Sequence, residues 1–252
     1  QYGLSVAAHY YNQSANAHDG SVQVVVNAKH ATPSHAPAFV SDIERGIAEG
    51  ILPQPWQTDT CIGSWHYDRR IFEQHKYKTT AQVVHMLADI VSKNGNLLLS
   101  VPVRGDGSID EDEIAFLEGM AAWMKINSEA IFGTRPWEVY GEGPSTETKA
   151  EAGIFGGASD VQSKPYTPAD IRFTQKGNTV YAILMAWPEN QSVLIKSFGA
   201  KANHLGGRKI KNISLLGRSG KIRYTAEEDG VRIQLPATAP CKDAYVLKIE
   251  TK

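Results

Sequence analysis

The chain has 252 residues, 42% of them apolar, and 26 basic against 27 acidic side chains. So even a balance leaves no electrostatic footprint for nucleic acid or an anionic membrane surface, and no apolar run approaches the ~18 residues that a membrane span requires. Cys61 and Cys241, the two cysteines, show no CxxC spacing and indicate neither a zinc site nor a disulfide framework.

In chain order, Tyr2 to about Ala17 carries Leu4, Ala7, Ala8 and Tyr11 at helical spacing, and His18, Asp19 and Gly20 supply a stop. The β-branched run Val22 to Val26 reads as a buried parallel strand, and Ala38 to Val40 as a weaker one. From Phe39 to Tyr67 the periodicity fades, and the stretch reads as a long aromatic and charged loop on the active-site side of the chain. Its alternative is a packed tryptophan loop with solvated charges.

A helix is predicted from Thr79, with Val83, Val84, Leu87, Ile90 and Val91 on one face and a cap at Asn94 and Gly95. Leu97 to Val101 reads as a strand buried on both faces, and Asp106 with Gly107 as a turn. Ser108 and Glu111 form a predicted capping box for a helix with an apolar stripe of Ile114, Leu117, Ala121 and Met124. Helices alternating with strands predict a parallel α/β sheet or barrel.

After Gly133 the rhythm changes to about seven short strand candidates: 137–140, 171–174, 179–187, 192–195, 209–215, 231–235 and 244–249. Turn residues separate them, among them Lys176, Gly177 and Asn178 at a predicted hairpin, and residues 141–166 read as a linker or surface excursion. This half predicts an antiparallel β-sandwich. The expected division is an α/β unit at residues 1–135 and an all-β unit at 136–252.

Three runs carry a family resemblance: PWQTDTCIGSWHY (Pro55 to Tyr67), VSKNGNLLLSVPVRGDGSID (Val91 to Asp110) and INSEAIFGTRPW (Ile126 to Trp137). Together they resemble the second half of the catalytic domain of glycoside hydrolase family 29, the α-L-fucosidases, over roughly residues 1–143. The β-rich remainder is similar to the sandwich that follows the barrel in that family. The resemblance implies a partial (β/α)8-like barrel followed by a sandwich, hydrolysis of α-L-fucosides with retention, and no metal or organic cofactor. It further implies that the nucleophilic aspartate and the N-terminal sugar-binding histidines lie outside these residues.

Within the chain, Glu44 is the expected acid/base, following Val40 and preceding the aromatic loop, with Glu49 as second candidate. Trp65 resembles the aromatic wall against the C6 methyl of fucose, with a core tryptophan as the alternative. Trp56 is read as wall or core, Arg45 as a partner of a ring hydroxyl or of the acid/base carboxylate, and His66 as a hydroxyl donor or a structural residue. Asp59 is expected to order its loop through backbone amides. Arg104, Asp106 and Asp110 lack the later bidentate glutamate of a calcium loop and take a structural role.

The expected partner is a fucosylated glycan or simple fucoside, with no nucleic acid and no membrane. The expected assembly is a homo-oligomer or a complex with a missing N-terminal half. The start at Gln1 without Met or a leader pattern reads as a fragment or processed product. A secreted or periplasmic setting is expected, although the sequons at Asn12, Asn190 and Asn212 do not decide it. The alternative function is a non-catalytic carbohydrate-binding or structural remnant lacking the nucleophile.

Overall fold

Helix α1 (Tyr2–Ala17) ends as predicted, where Asp19 and Gly20 take positive φ and Gly20 N donates to Ala15 O at 2.8 Å. The computed structural model describes residues 2–147, 153, 158–159 and 165–252. Strand β1 (Asn27–Ala28), β2 (Val40–Glu44), the short β3 (Gly46–Ile47) and β4 (Trp56–Cys61) follow. Helix α2 (Arg69–Glu73), helix α3 (Thr80–Ser92) and β5 (Gly95–Ser100) complete the first layer, with a parallel sheet in the order β1-β2-β4-β5.

Several expectations change here. The stretch from Phe39 to Tyr67 is no long loop, since it holds β2, β3 and β4. Polar residues hid these strands from a periodicity reading: Thr58 is fully buried, and its hydroxyl donates to Ile43 O at 2.8 Å and Gly46 O at 2.6 Å. Conversely, Val22 to Val26 forms no strand, and Val22 and Val25 are 53% and 63% exposed. A β-branched run becomes a strand only where its backbone meets a ladder, and among the described residues that ladder is confined to Asn27 and Ala28. Leu98 in β5 is 55% exposed, so this strand is buried on one face and open on the other.

Thr79 caps α3 through a capping box with Gln82, and Asn94 ends it at φ 72°. Gly95 then pairs with Trp56, and a Cβ there would lie 2.5 Å from the Trp56 ring. The next helix, α4 (Glu111–Asn127), is capped by Asp110 and Glu113 rather than by Ser108 and Glu111. Ser108 instead donates its backbone N–H and hydroxyl to Asp106. The buried face of α4 is Phe116 and Trp123, whereas Ile114 and Leu117 are exposed. Apolar residues occur all around this helix, so spacing alone did not select the face.

The second half begins with β6 (Arg135–Glu142), the short α5 (Pro144–Glu147) and β7 (Ala158–Ser159), whose backbone pairs with β3. The rest of the expected linker at 141–166 lies largely outside the described residues. Strands β8 (Ile171–Lys176), β9 (Thr179–Leu184), β10 (Ser192–Ile195), β11 (Ile210–Leu215), β12 (Arg223–Glu227), β13 (Gly230–Gln234) and β14 (Tyr245–Thr251) follow. They form two antiparallel sheets, β11-β14-β9-β8-β6 and β10-β13-β12. Lys176 pairs with Thr179 across the predicted hairpin, Gly177 taking φ 56°. Strand β12, largely exposed and polar, gave no apolar signal.

Strand β9 explains how the layers join. Its side chains alternate: Val180, Ala182 and Leu184 enter the core between the two antiparallel sheets, while Tyr181 and Ile183 pack against Val84, Ala88 and Trp123 of α3 and α4. A strand buried on both faces therefore reads as a continuous apolar run. Asp89 of α3 fastens the same interface, accepting from Arg172 Nε of β8 at 2.6 Å and from Lys93 Nζ at 2.7 Å, all three side chains being buried.

Candidate functional site

Register and alternation place a polar row on the face of the parallel sheet turned away from α3. Asp42 stands opposite Gln57, and Glu44 opposite Asp59. Side chains two residues apart share a face, so these four fall together, and Asn27 of β1 joins them with Nδ2 3.2 Å from Gln57 Oε1. Gln57 Nε2 donates to Asp42 Oδ2 at 2.7 Å.

At the C-terminal ends of these strands, Lys29 bridges two carboxylates. Its Nζ lies 2.9 Å from Glu44 Oε2 and 2.7 Å from Asp59 Oδ2. The same nitrogen lies 5.9 Å from the centre of the Trp65 ring, within the range of a cation–π contact. Burial alone would lower the Lys29 pKa, but the hydrogen bonds and charges of Asp59 and Glu44 outweigh it and hold the ammonium above its ordinary value.

Asp42 shows the opposite behaviour. Burial raises its pKa first, Gln57 lowers it, and the neighbouring Asp59 carboxylate raises it again. Asp42 Oδ1 and Asp59 Oδ1 are both buried without a hydrogen-bond partner among the described residues.

The expected site residues thus separate. Glu44 is in the cluster with its side chain 23% exposed, and Trp65, 37% exposed, stands beside it. His66 follows Trp65 and is exposed. Trp56 is corrected from wall or core to core: it is inaccessible at the other end of β4, packs on Met86 and Ile90, and donates Nε1–H to Lys93 O at 2.9 Å. Arg45 is also corrected: it sits at φ 45° in the turn between β2 and β3 and lines a cavity with Ile47 and Met86. Glu49 is exposed beyond β3, and its charge acts on Lys93, the residue that ends α3. Asp59 does not order a loop; it belongs to β4 and binds Lys29.

Arg104, Asp106 and Asp110 hold local structure. Arg104 reaches Tyr67 and Ile109 O, Asp106 closes its turn, and Asp110 caps α4 and accepts from Tyr77 at 2.7 Å. Among the described residues no group of three or more His, Cys, Asp or Glu side chains is arranged to hold a metal. Lys29, Asp42 and Gln57 were missed as site residues. Their signal was polarity at every second position in three neighbouring strands, visible only once β2 and β4 are recognised as strands.

Residues 4–129 match the family model described as alpha-L-fucosidase, and residues 162–250 match that of the alpha-L-fucosidase C-terminal domain. The human plasma alpha-L-fucosidase is 28% identical over 208 residues, covering 79% of this chain and 38% of that protein. The human tissue alpha-L-fucosidase is 27% identical over 236 residues, covering 90% and 44%. Among solved structures, alpha-L-fucosidase isoenzyme 1 from Paenibacillus thiaminolyticus superposes with a TM-score of 0.66 at 21% identity, over 96% of this chain and 53% of that one. The Thermotoga maritima alpha-fucosidase in complex with fucose gives 0.65 at 23% identity, over 94% and 47%. The chain spans about two fifths of the length of these curated relatives.

Proposed function

Since the chain belongs to the α-L-fucosidase family, glycoside hydrolase family 29, we propose that it supplies the acid/base half of a retaining site hydrolysing terminal α-L-fucosides. The observation that carries this reading is the position of Glu44, at the C-terminal end of a parallel strand, tethered by Lys29 and next to an accessible tryptophan. Barrel enzymes place their chemistry at that end of the sheet. Glu44 protonates the departing glycosidic oxygen and then deprotonates the incoming water. Lys29 and Asp59 fix where that carboxyl points, and Trp65 offers an apolar face to the C6 methyl.

A retaining mechanism needs a second carboxylate roughly 5–5.5 Å from the first. Asp59 shares Lys29 with Glu44, but an aspartate tied to a lysine is poorly placed to attack carbon. We assign the nucleophile to strands outside these residues. Two features support that reading. Among the described residues the outer edges of β1 and β5 have no strand partner, and Leu98, opposite Asp59 in the register, is exposed. Open edges and exposed apolar residues call for further strands, here those that would close a (β/α)8-like barrel over the cluster. In this arrangement residues 1–135 form the catalytic part and 136–252 the sandwich behind it. The test is chemical rescue: Glu44→Ala in the complete enzyme should regain turnover of nitrophenyl fucoside when azide is added, and failure of azide to rescue would remove Glu44 from the role.

A further inference from the structure

Lys29 passes over the carboxylate that the register brings level with it. The β1-β2 ladder pairs Asn27 with Val40 and Ala28 with Ser41, so one residue further on Lys29 stands beside Asp42. Its ammonium goes elsewhere, to Glu44 Oε2 at 2.9 Å further along β2 and across β2 to Asp59 Oδ2 at 2.7 Å on β4. The charges of Lys29 and Asp59 both reach Asp42. A carboxylate so placed competes for the ammonium, because charge-assisted hydrogen bonds are roughly twice as strong as neutral ones.

Gln57 accounts for the choice. It stands opposite Asp42 in the β2-β4 register, and its Nε2 donates to Asp42 Oδ2 at 2.7 Å. In the sheet order β1-β2-β4, Asp42 lies between Lys29 on one side and Gln57 on the other, so Gln57 holds the carboxylate from the side away from Lys29. The amide is itself oriented: Asn27 Nδ2 donates to Gln57 Oε1 at 3.2 Å. A glutamine amide has one accepting end and one donating end, so fixing its oxygen on Asn27 turns its nitrogen to Asp42. Asn27 and Lys29, two residues apart and on one face, both reach over β2, the first to Gln57 and the second to Asp59.

We infer that Gln57 is a positioning residue for the acid/base: by holding Asp42 on the β4 side it leaves Lys29 to Glu44 and Asp59, and so keeps the Glu44 carboxyl aimed. This inference rests on the proposed role of Glu44. Gln57 acts through Asp42 and Lys29 and touches no reacting atom. Without its amide, Asp42 turns to Lys29, three carboxylates share one ammonium, and the hold on Glu44 loosens. The damage then comes from the freed Asp42 charge, so removing that charge repairs it.

The test is kinetic, in the complete enzyme. Gln57→Met keeps the length of the side chain and removes both ends of the amide. General acid assistance is worth roughly 10²–10⁴-fold, so kcat on a fucoside with a poor leaving group should fall at least tenfold, with a smaller loss on nitrophenyl fucoside and KM within twofold. Adding Asp42→Asn, whose neutral amide competes weakly for an ammonium, should raise kcat at least fivefold above that of Gln57→Met. A glutamine that only supported the fold would behave in the opposite way, since losing a second polar partner would deepen the damage. Asn27→Ala, a change at an exposed position, frees the Gln57 amide to turn and should show the same dependence on leaving group with a loss of at least threefold, so that the outcome does not hang on one variant folding. Equal losses on the two substrates, a change confined to KM, a double variant no faster than Gln57→Met, or full activity in both Gln57→Met and Asn27→Ala would each overturn the inference. Glu44→Ala measured alongside separates the two failures: no azide rescue removes the premise and the inference together, whereas rescue of Glu44→Ala beside an unimpaired Gln57→Met and Asn27→Ala removes Gln57 alone.

Discussion

Lys29 and Glu44 meet end to end, Nζ to Oε2 at 2.9 Å, joining the segment after β1 to the last residue of β2. The same ammonium holds Asp59 of β4, so three neighbouring parts of the sheet converge on one nitrogen. If Glu44 transfers the proton, its loss costs roughly 10²–10⁴-fold in rate. The loss falls unevenly, because an activated leaving group needs less protonation. Glu44→Ala should therefore impair natural fucosides far more than nitrophenyl fucoside. Equal losses on the two substrates would exclude the assignment.

Lys29→Met tests positioning. It removes the tether while leaving the Glu44 carboxyl in place, so kcat on poor leaving groups should fall more than tenfold while KM changes little. A change confined to KM would make Lys29 a substrate contact instead.

The two tryptophans should part ways. Trp65 is 37% exposed, and Trp65→Ala should cost roughly 1–3 kcal/mol in transition-state binding for fucosides and less for galactosides, which carry a hydroxymethyl group in place of the methyl. Its thermal stability should hardly change. Trp56 is inaccessible and hydrogen-bonded, and Trp56→Ala should lower stability by about 3–5 kcal/mol. Loss of stability in Trp65→Ala with unaltered sugar discrimination would move Trp65 into the core as well.

The buried Asp89 sets an acid limit on stability. Burial pushes its pKa up, but Arg172 and Lys93 together hold it below the usual carboxylate range. A group whose folded pKa lies below its unfolded value stabilises the native state above the unfolded pKa of about 3.9, and that contribution is lost as pH falls through the folded value. Asp89→Asn should therefore flatten the stability curve below about pH 4, and at neutral pH it should cost about 3–5 kcal/mol by leaving two buried cations uncompensated. Urea denaturation across pH 2–7 reads both effects; an acid limb as steep as that of the parent chain would show that another carboxylate controls it.

What the sequence disclosed and what it hid have physical reasons. Helix α3 was readable because one face is apolar and the other is not, and the sandwich strands because turns punctuate β-branched runs. The polar row was hidden because Asp42, Glu44, Gln57 and Asp59 interrupt the apolar alternation by which strands are recognised, and they meet only across the register. Glu44 and Trp65 stand as candidates through the family resemblance and their places in the chain, and Lys29 does not, since a lysine three residues beyond a β-branched run looks like a solvated charge. Trp56 and Trp65 are the same residue type, and only their places, one at the start of β4 and the other beyond its end, distinguish them.

The polar row needs cover: Asp42 and Asp59 keep buried oxygens without partners, and β1 and β5 present unpaired edges among the described residues. Such a face is stable when further strands close over it. A second copy of this chain could pair edge to edge, but it would bring only another Glu44, Asp59 and Lys29, and each aspartate would remain bound to its own lysine. The family's N-terminal strands would bring a free aspartate toward Glu44 at the spacing retention requires. Recombinant residues 1–252 should therefore show negligible fucosidase activity and a tendency to self-associate. Co-expression with an N-terminal catalytic half should give a one-to-one complex with activity, measured by light scattering and by nitrophenyl fucoside turnover. Full turnover by residues 1–252 alone, abolished by Asp59→Asn, would contradict this and make Asp59 the nucleophile, with Lys29 released from it during the reaction.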